Sequence, residues 1–206
     1  MRKEIIDMAV VVIDYKKIFI DLLTEIPRKG MPELIDWLNS TDFFVAPASS
    51  RFHLCEKGGL IEHSLNVYNR LKRLWAMEMK LPDVSDITEE DDWKLRIVSL
   101  LHDLCKIGLY KESFRNVKND DGKWEKVPCY AREEQFVFGY HGCKSVWLAS
   151  KYLELTDEES VAIANHMGAF DRPANDFDIG SVFESNKLAL LLHTADCFAS
   201  FVDEAK

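Results

Sequence analysis

Apolar residues recur at helical spacing along most of the chain. From residue 4 to residue 25 they follow one another at intervals of three or four, as at Met8 and Val12, until Pro27 ends the run. Residues 40–57, which contain paired serines, are predicted as loop. The same spacing, with its start and stop signals, predicts further helices from Pro32 to Asn39, from Leu60 to Lys80, from Thr88 to Leu104, over residues 141–154, and after the capping boxes Thr156/Glu159 and Ser181/Glu184.

One segment departs from the helical pattern. Phe114–Lys118 and Lys123–Val127 are two short runs that flank the turn sequence Asn119–Gly122. Gly122 stands where such a turn needs a left-handed residue, which favours a β-hairpin. The sequence therefore predicts an all-α fold, a helical bundle with a small β-hairpin insertion.

Length and composition predict a single domain. The chain has 206 residues, of which 47% are hydrophobic and 30% are charged, and this suffices for one sizeable core. We find no internal repeat, and no linker rich in Pro, Gly or Ser divides the chain. We expect residues 1–206 to form one unit, in which helices of residues 1–44 pack on a core of residues 45–200.

Charge and apolar patterning limit the partners. The net charge of −9 argues against an extended nucleic-acid surface, which would need a basic face, but allows a small phosphorylated substrate. The longest apolar run, Met8–Ile13, is far shorter than the ~20 residues of a membrane span, and Asp7 interrupts any signal peptide. The five cysteines form no Cys-x-x-Cys pair, which is typical of free thiols. We expect a soluble, cytoplasmic protein without membrane contact, and the N-terminal helix could complete the core or form a homo-oligomer face.

Four histidines and two aspartates stand in contexts typical of metal ligands. They are His63, the adjacent pair His102 and Asp103, His141 at a predicted helix start, His166 at a predicted helix end, and Asp196 inside an apolar helix. A buried, ionised aspartate costs several kcal/mol unless it is paired, so Asp196 requires a partner. Any one of these histidines alone is more often an ordinary buried histidine, and a buried aspartate more often pairs with arginine. Their conjunction on separate helices favours a metal site, because bundles build such sites from one inward group per helix.

Two strings around these residues resemble a known family. Gly58–Leu65 (GGLIEHSL) and Leu100–Lys106 (LLHDLCK), followed by Asp196, resemble the histidine–aspartate (HD) superfamily of metal-dependent phosphohydrolases over residues 45–200. Leu155–Gly168 is similar to bacterial and phage-borne HD proteins of unassigned substrate. The resemblance implies an HD-domain helical bundle. The metal ligands that it implies are His63, His102, Asp103 and Asp196.

Two further histidines resemble the branch of the family that holds two metal ions. His141 and His166 fall in order between the His–Asp pair and the final aspartate. The resemblance then implies that Asp103 bridges the two ions and that His141 and His166 belong to the second site. The first site would be completed by His63, His102 and Asp196. Imidazole and carboxylate ligands suit Mn or Fe, with Zn, Ni or Co as alternatives and Mg less at home among histidines.

Several cationic residues are candidates for contacting substrate. The resemblance implies that Lys106 contacts substrate phosphate, and its spacing predicts that it lies one helical turn from Asp103 on the same face. A salt bridge to Asp103 or a solvated helix end is the alternative. Arg115 and Lys118 on the hairpin and Lys144 could supply positive charge to a phosphate, and solvated surface charge is the alternative for all three.

The remaining two histidines are not assigned as ligands. His53 is interpreted as a loop histidine near the mouth of the site rather than a further ligand or substrate contact. His193 lies one turn before Asp196, so it could support the ligands from behind.

The resemblance favours a metal-dependent phosphohydrolase or phosphodiesterase acting on a nucleotide-like phosphate ester. In that mechanism a hydroxide shared by two ions attacks phosphorus, Asp103 bridges the ions and Lys106 neutralises charge on the phosphate oxygens. The Gly-Tyr-Pro motif of cyclic-dinucleotide phosphodiesterases is absent, since Gly139 and Tyr140 are followed by His141. Two alternatives remain open: a mixed-valent di-iron oxygenase of the same superfamily, or a non-catalytic module that senses nucleotides.

Overall fold

The computed structural model describes residues 13–133, 136, 138–171 and 178–205. This part of the chain has eight α-helices and one two-stranded antiparallel sheet, which confirms the predicted all-α fold with a small hairpin. The helices are α1 (Tyr15–Thr24), α2 (Met31–Asn39), α3 (Gly59–Glu78), α4 (Glu89–Leu101), α5 (His141–Ala149), α6 (Asp157–Asn165), α7 (Asp178–Ser185) and α8 (Lys187–Phe198), and the strands are β1 (Tyr110–Lys118) and β2 (Trp124–Arg132).

The long helix α3 is the centre of the hydrophobic core. It packs against α1, α4 and α8, and α6 packs against both α5 and α8. Leu60 and Leu71 of α3 are fully buried in a cluster that also takes in Phe19 of α1 and Leu34 of α2. The N-terminal helices thus belong to the same core as the helices that carry the predicted ligands.

The hairpin is longer than its turn signal predicted. Strand β1 pairs with β2 from Tyr110 opposite Arg132 to Lys118 opposite Trp124. Gly122 has a φ of 76°, so the left-handed position predicted for it is confirmed. The Asn119 side chain accepts a hydrogen bond from the backbone of Lys123 at 2.9 Å, which closes the turn.

Local signals predicted most helix starts correctly. Thr156 and Glu159 form the predicted capping box of α6, and Thr88 caps α4. The second predicted box is wrong, because Ser181 lies inside α7. Helix α8 is instead capped by Asn186, whose side chain accepts a hydrogen bond from the Ala189 backbone at 3.0 Å.

Three predicted helices differ in length from the observed ones. One helix is predicted over residues 4–25, and its first nine positions lie outside the described residues. Ile13 and Asp14 are not helical, because the Asp14 side chain caps α1 by accepting from the Lys17 backbone. Helix α5 ends at Ala149 rather than residue 154. Helix α4 ends at Leu101 rather than Leu104, and this early end matters most because it falls at the His–Asp pair.

The end of α4 alters the predicted geometry of the His–Asp pair. His102 caps the helix, Asp103 has φ −107° and ψ 20°, and a 3-10 turn, Leu104–Lys106, follows. The ring Nδ1 of His102 lies 2.7 Å from the carbonyl oxygen of Ser99, the acceptor that the Asp103 N–H would use in a continuing helix. The prediction that His102, Asp103 and Lys106 share one α-helix is therefore wrong, and Asp103 projects from a bend.

Candidate metal centre

The ends and faces of five helices bring the six predicted ligands together. His63 lies in the second turn of α3, His141 is the first residue of α5, and Asp196 lies in the last turn of α8. His102 and Asp103 follow α4, and His166 caps the end of α6. His63, His102, Asp103 and His166 are each no more than 2% exposed.

Asp103 lies at the centre of the cluster. Its Oδ2 atom is 3.3 Å from Nε2 of His102 and 3.6 Å from Nε2 of His63. Its Oδ1 atom is 2.7 Å from Nε2 of His141 and 3.7 Å from Nε2 of His166. Each carboxylate oxygen therefore faces a separate pair of imidazoles.

Asp196 has the partner that the sequence predicted for it, although its side chain is 15% exposed rather than fully buried. Its Oδ1 atom lies 3.2 Å from Nε2 of His63, and the Ser200 hydroxyl donates to the same oxygen at 3.3 Å. This places Asp196 on the His63 side of the cluster.

The rings of His102 and His166, which cap helix ends, are oriented by the same type of hydrogen bond. Nδ1 of His102 bonds the carbonyl of Ser99, and Nδ1 of His166 bonds the carbonyl of Ile163, each at 2.7 Å and three residues back. A carbonyl oxygen only accepts, so Nδ1 carries the hydrogen in both rings. In the neutral form of each ring Nε2 then carries the lone pair, and this nitrogen is on the side of the ring that faces Asp103.

The donor set fits a metal ion. Nε2 of His166 is buried and has no hydrogen-bond partner among the residues that the structure describes, which is costly unless another group binds it. Imidazole nitrogens with carboxylate oxygens suit transition-metal ions. Among the described residues, four groups have ligand atoms within 4.8 Å of one another: His63 with His102 and Asp103, His102 with His166 and Asp196, Asp103 with Cys105 and His141, and His53 with His63 and Glu204.

Electrostatics keeps both aspartates ionised. Burial alone would raise the pKa of Asp103, but Lys106, His102 and His141 outweigh it and hold that pKa well below its usual range. Burial would likewise raise the pKa of Asp196, but the hydrogen bond from His63 and the nearby imidazoles lower it overall. Both carboxylates are therefore anionic at neutral pH, as metal ligands must be.

The two histidines next to Asp103 Oδ2 have opposite pKa shifts. Burial lowers the pKa of His102, despite the opposing effect of Asp103. Burial also acts to lower the pKa of His63, but hydrogen bonds to Asp196 and Glu204 raise it to about 9. His102 is thus neutral at pH 7, whereas a cation binding at His63 must displace a proton.

Lys106 is buried beside Asp103. Its Nζ atom lies 2.6 Å from Asp103 Oδ2, so the salt bridge that the sequence left as an alternative is present. The 3-10 turn, rather than a turn of α-helix, brings the two side chains together. Lys106 also lines the neighbouring cavity.

A cavity of about 990 Å³ opens beside the cluster. His63, Asp103, His141 and Asp196 form part of its wall. Its cationic lining residues are Arg51, Lys106, Arg115, Arg132 and Lys144, and five partly exposed aromatic rings, Phe52, Tyr110, Tyr140, Phe170 and Phe201, also line it. The wall of the open space next to the predicted ligands thus contains cationic and aromatic side chains, together with the carboxylates of Asp171 and Glu204.

Two of the three predicted substrate contacts line this cavity, and the third does not. Arg115 and Lys144 line the cavity, and Nζ of Lys144 donates to the carbonyl of Phe136 at 3.4 Å. Lys118 lies at the far end of β1, with its Nζ 5.5 Å from the centre of the Trp124 ring, and is not among the described residues that line the cavity.

The two unassigned histidines both border the cavity. His53 lies in the loop before α3, and its Nδ1 is 2.6 Å from Glu204 Oε2. His193 Nδ1 bonds the carbonyl of His166 at 2.6 Å, so it supports the segment that carries a ligand. Sequence reasoning missed Glu204 entirely, because a single glutamate beyond the last apolar helix carries no local signal. Arg51 and Arg132 were also missed.

Comparison of the chain with protein-family models, with curated proteins and with solved structures finds no match. None of the helices in the described ranges is both long enough and apolar enough to span a bilayer. Functional inference therefore rests on the chemistry of the buried cluster and of the cavity beside it.

Proposed function

We propose that this chain is an HD-type metal-dependent phosphohydrolase or phosphodiesterase that acts on a nucleotide-like phosphate ester. The observation that carries the proposal is the arrangement around Asp103, whose two oxygens face separate pairs of imidazole nitrogens at 2.7–3.7 Å. A carboxylate placed in this way can bridge two cations. The ordered strings around His63 and His102 support the same family.

In this proposal the ligand set divides into two halves. His63, His102, Asp103 and Asp196 would hold one divalent ion, and Asp103, His141 and His166 would hold a second. Mn and Fe suit this mixture of nitrogen and oxygen donors, with Zn, Ni, Co and Mg as alternatives. Such ions supply a bound water of lowered pKa and positive charge for phosphate oxygens.

The cationic wall of the cavity favours a phosphate-bearing substrate. Lys106 is anchored by Asp103 and borders the cavity, so its ammonium group is in place to neutralise charge on an equatorial phosphate oxygen. Arg115 and Lys144 line the same space and would orient the substrate. Fixed positive groups in a partly closed site stabilise developing negative charge more strongly than they would in water.

The aromatic rim favours a substrate that carries a planar ring. Phe52, Phe170 and Phe201 line the cavity and are 67%, 73% and 72% exposed, respectively. Rings in this setting can stack on a nucleobase, which contributes roughly 1–3 kcal/mol per base. This feature supports a nucleotide-like ester over a small aliphatic phosphate.

Hydrolysis of a panel of nucleotides and generic phosphodiesters by the Mn²⁺-loaded protein tests the proposal. We expect turnover by the wild type, and a loss in Asp103→Asn larger than the roughly 10–100-fold typical of residues that only support a ligand. Asp36→Asn, which alters an exposed carboxylate on α2, is the matched control and should keep full activity. Full turnover by Asp103→Asn would contradict the mechanism, and oxygen consumption by the iron-loaded protein without hydrolysis would indicate the oxygenase instead.

A further inference from the structure

After α8 the chain turns so that the carboxylate of Glu204 lies in the core. A π-helical turn, Ala199–Asp203, follows the helix, and the Glu204 N–H bonds the carbonyl of Ala199 at 3.0 Å. Single π-helical turns of this kind occur frequently at functional sites. Glu204 is only 6% exposed, although its neighbour Asp203 pairs with Arg70 near the surface.

The Glu204 carboxylate is hydrogen-bonded to two histidines and one asparagine. Both of its oxygens lie 3.1 Å from Nδ1 of His63. Oε2 is also 2.6 Å from Nδ1 of His53, and the Asn66 side chain donates to Oε1 at 2.9 Å. Glu204 thereby joins the C-terminal segment, the loop before α3 and the first turns of α3.

His63 has a partner on another element, unlike the two capping histidines. His102 and His166 bond a carbonyl of their own helix end, where carbonyls have no N–H partner within the helix. His63 lies within α3, where the backbone carbonyls already accept from the helix, and its Nδ1 is bonded by Glu204 from the C-terminal segment instead.

We propose that Glu204 is a positioning residue that accepts a hydrogen bond from Nδ1 of His63 and so directs Nε2 of that ring into the metal centre. The proposal rests on the metal-binding part of the proposed function. A carboxylate behind a ligating histidine fixes the ring orientation and raises its basicity, and its loss typically weakens metal binding about 10–100-fold. His53 packs its ring at 4.9 Å from that of His63 and shares the carboxylate, which restricts the imidazole further.

Zn²⁺ affinity, measured by competition with a chromogenic chelator, tests this role. Glu204→Ala should weaken binding about 10–100-fold, and Glu204→Gln should weaken it less because the amide oxygen still accepts from Nδ1. Asp203→Asn, at the adjacent position, should bind Zn²⁺ as the wild type does. In a His63→Ala background the Glu204 substitutions should have no further effect, because their influence passes through that ring.

The melting temperature of each metal-free variant separates positioning from folding. A folded Glu204→Ala variant with wild-type Zn²⁺ affinity would overturn the inference, and so would an equal loss in Asp203→Asn or full additivity with His63→Ala. If Glu204→Ala does not fold, the same comparisons made with Glu204→Gln decide the question. If the wild type binds Zn²⁺ in a Glu204-dependent manner but hydrolyses no ester, only the proposed function is contradicted. If the wild type hydrolyses an ester but its Zn²⁺ affinity does not depend on Glu204, only this inference is contradicted.

Discussion

Single hydrogen bonds determine which ring nitrogen faces the centre. In His102 and His166 the backbone carbonyl three residues earlier takes the Nδ1 hydrogen, and in His63 the Glu204 carboxylate does so. All three rings therefore present Nε2 toward the aspartates. A one-dimensional sequence shows the histidines but not the acceptors that orient them, so the histidines of the cluster were predictable and the position of their ring hydrogens was not.

Replacing Lys106 by methionine tests the buried ion pair at Asp103. We expect Lys106→Met to lower the free energy of unfolding of the metal-free protein by about 3 kcal/mol, the low end for breaking a buried pair, because His141 still donates to Asp103. Saturating Mn²⁺ should reduce this loss, since a cation at Asp103 replaces the missing charge. Urea unfolding with and without Mn²⁺ measures both values.

The matched control is Lys111→Met, which breaks the exposed pair between Lys111 and Glu133. That change should cost less than about 1 kcal/mol, with or without Mn²⁺. Equal losses in the two lysine variants would show that the Lys106 pair contributes nothing specific.

At the scale of elements, helix ends build this site more than helix faces do. His141 begins α5, His166 caps α6, and Asp103 follows the end of α4. Periodicity and capping boxes predicted where α6 starts, but these signals did not predict that α4 stops at Leu101. The His102 ring bonds the Ser99 carbonyl that a further turn of helix would use, and helix propensities do not include such a contact.

The close approach of α5 to α6 depends on Gly142. A Cβ atom there would lie 2.4 Å from the carbonyl oxygen of Ile163 and 2.5 Å from that of Ala164, both backbone atoms that cannot move aside cheaply. Gly142→Ala should therefore push α5 away from α6, cost roughly 1–3 kcal/mol, and separate His141 from His166. Urea unfolding and Mn²⁺ stoichiometry together measure the two effects.

Gly180→Ala provides the control for this prediction. Gly180 lies inside α7 and a Cβ atom there would meet nothing within 4 Å, so alanine should raise stability by roughly 0.5–1 kcal/mol and leave metal binding unchanged. A Gly142→Ala variant with wild-type stability and stoichiometry would show that the α5–α6 contact does not position the ligands.

Across the whole molecule, the sequence predicted the fold class and the six-residue cluster better than it predicted the surroundings. Local strings identify His63 and the His102–Asp103 pair because ligand and context are adjacent in the chain. Glu204 meets His63 only through the tertiary fold, since the two residues are 141 positions apart, so no local pattern marks it. The aromatic and cationic cavity wall is assembled in the same way from the loop before α3, the hairpin and the C-terminal segment.

Metal content is the most direct test of the central claim, that Asp103 joins two cation sites. After anaerobic reconstitution with Mn²⁺ and desalting, elemental analysis should find two ions per chain in the wild type and in Asp36→Asn. His141→Ala and His166→Ala should each retain one ion, because the half formed by His63, His102, Asp103 and Asp196 stays intact. A wild type that retains no ion, or a single ion whose binding does not depend on His141 or His166, would contradict the account.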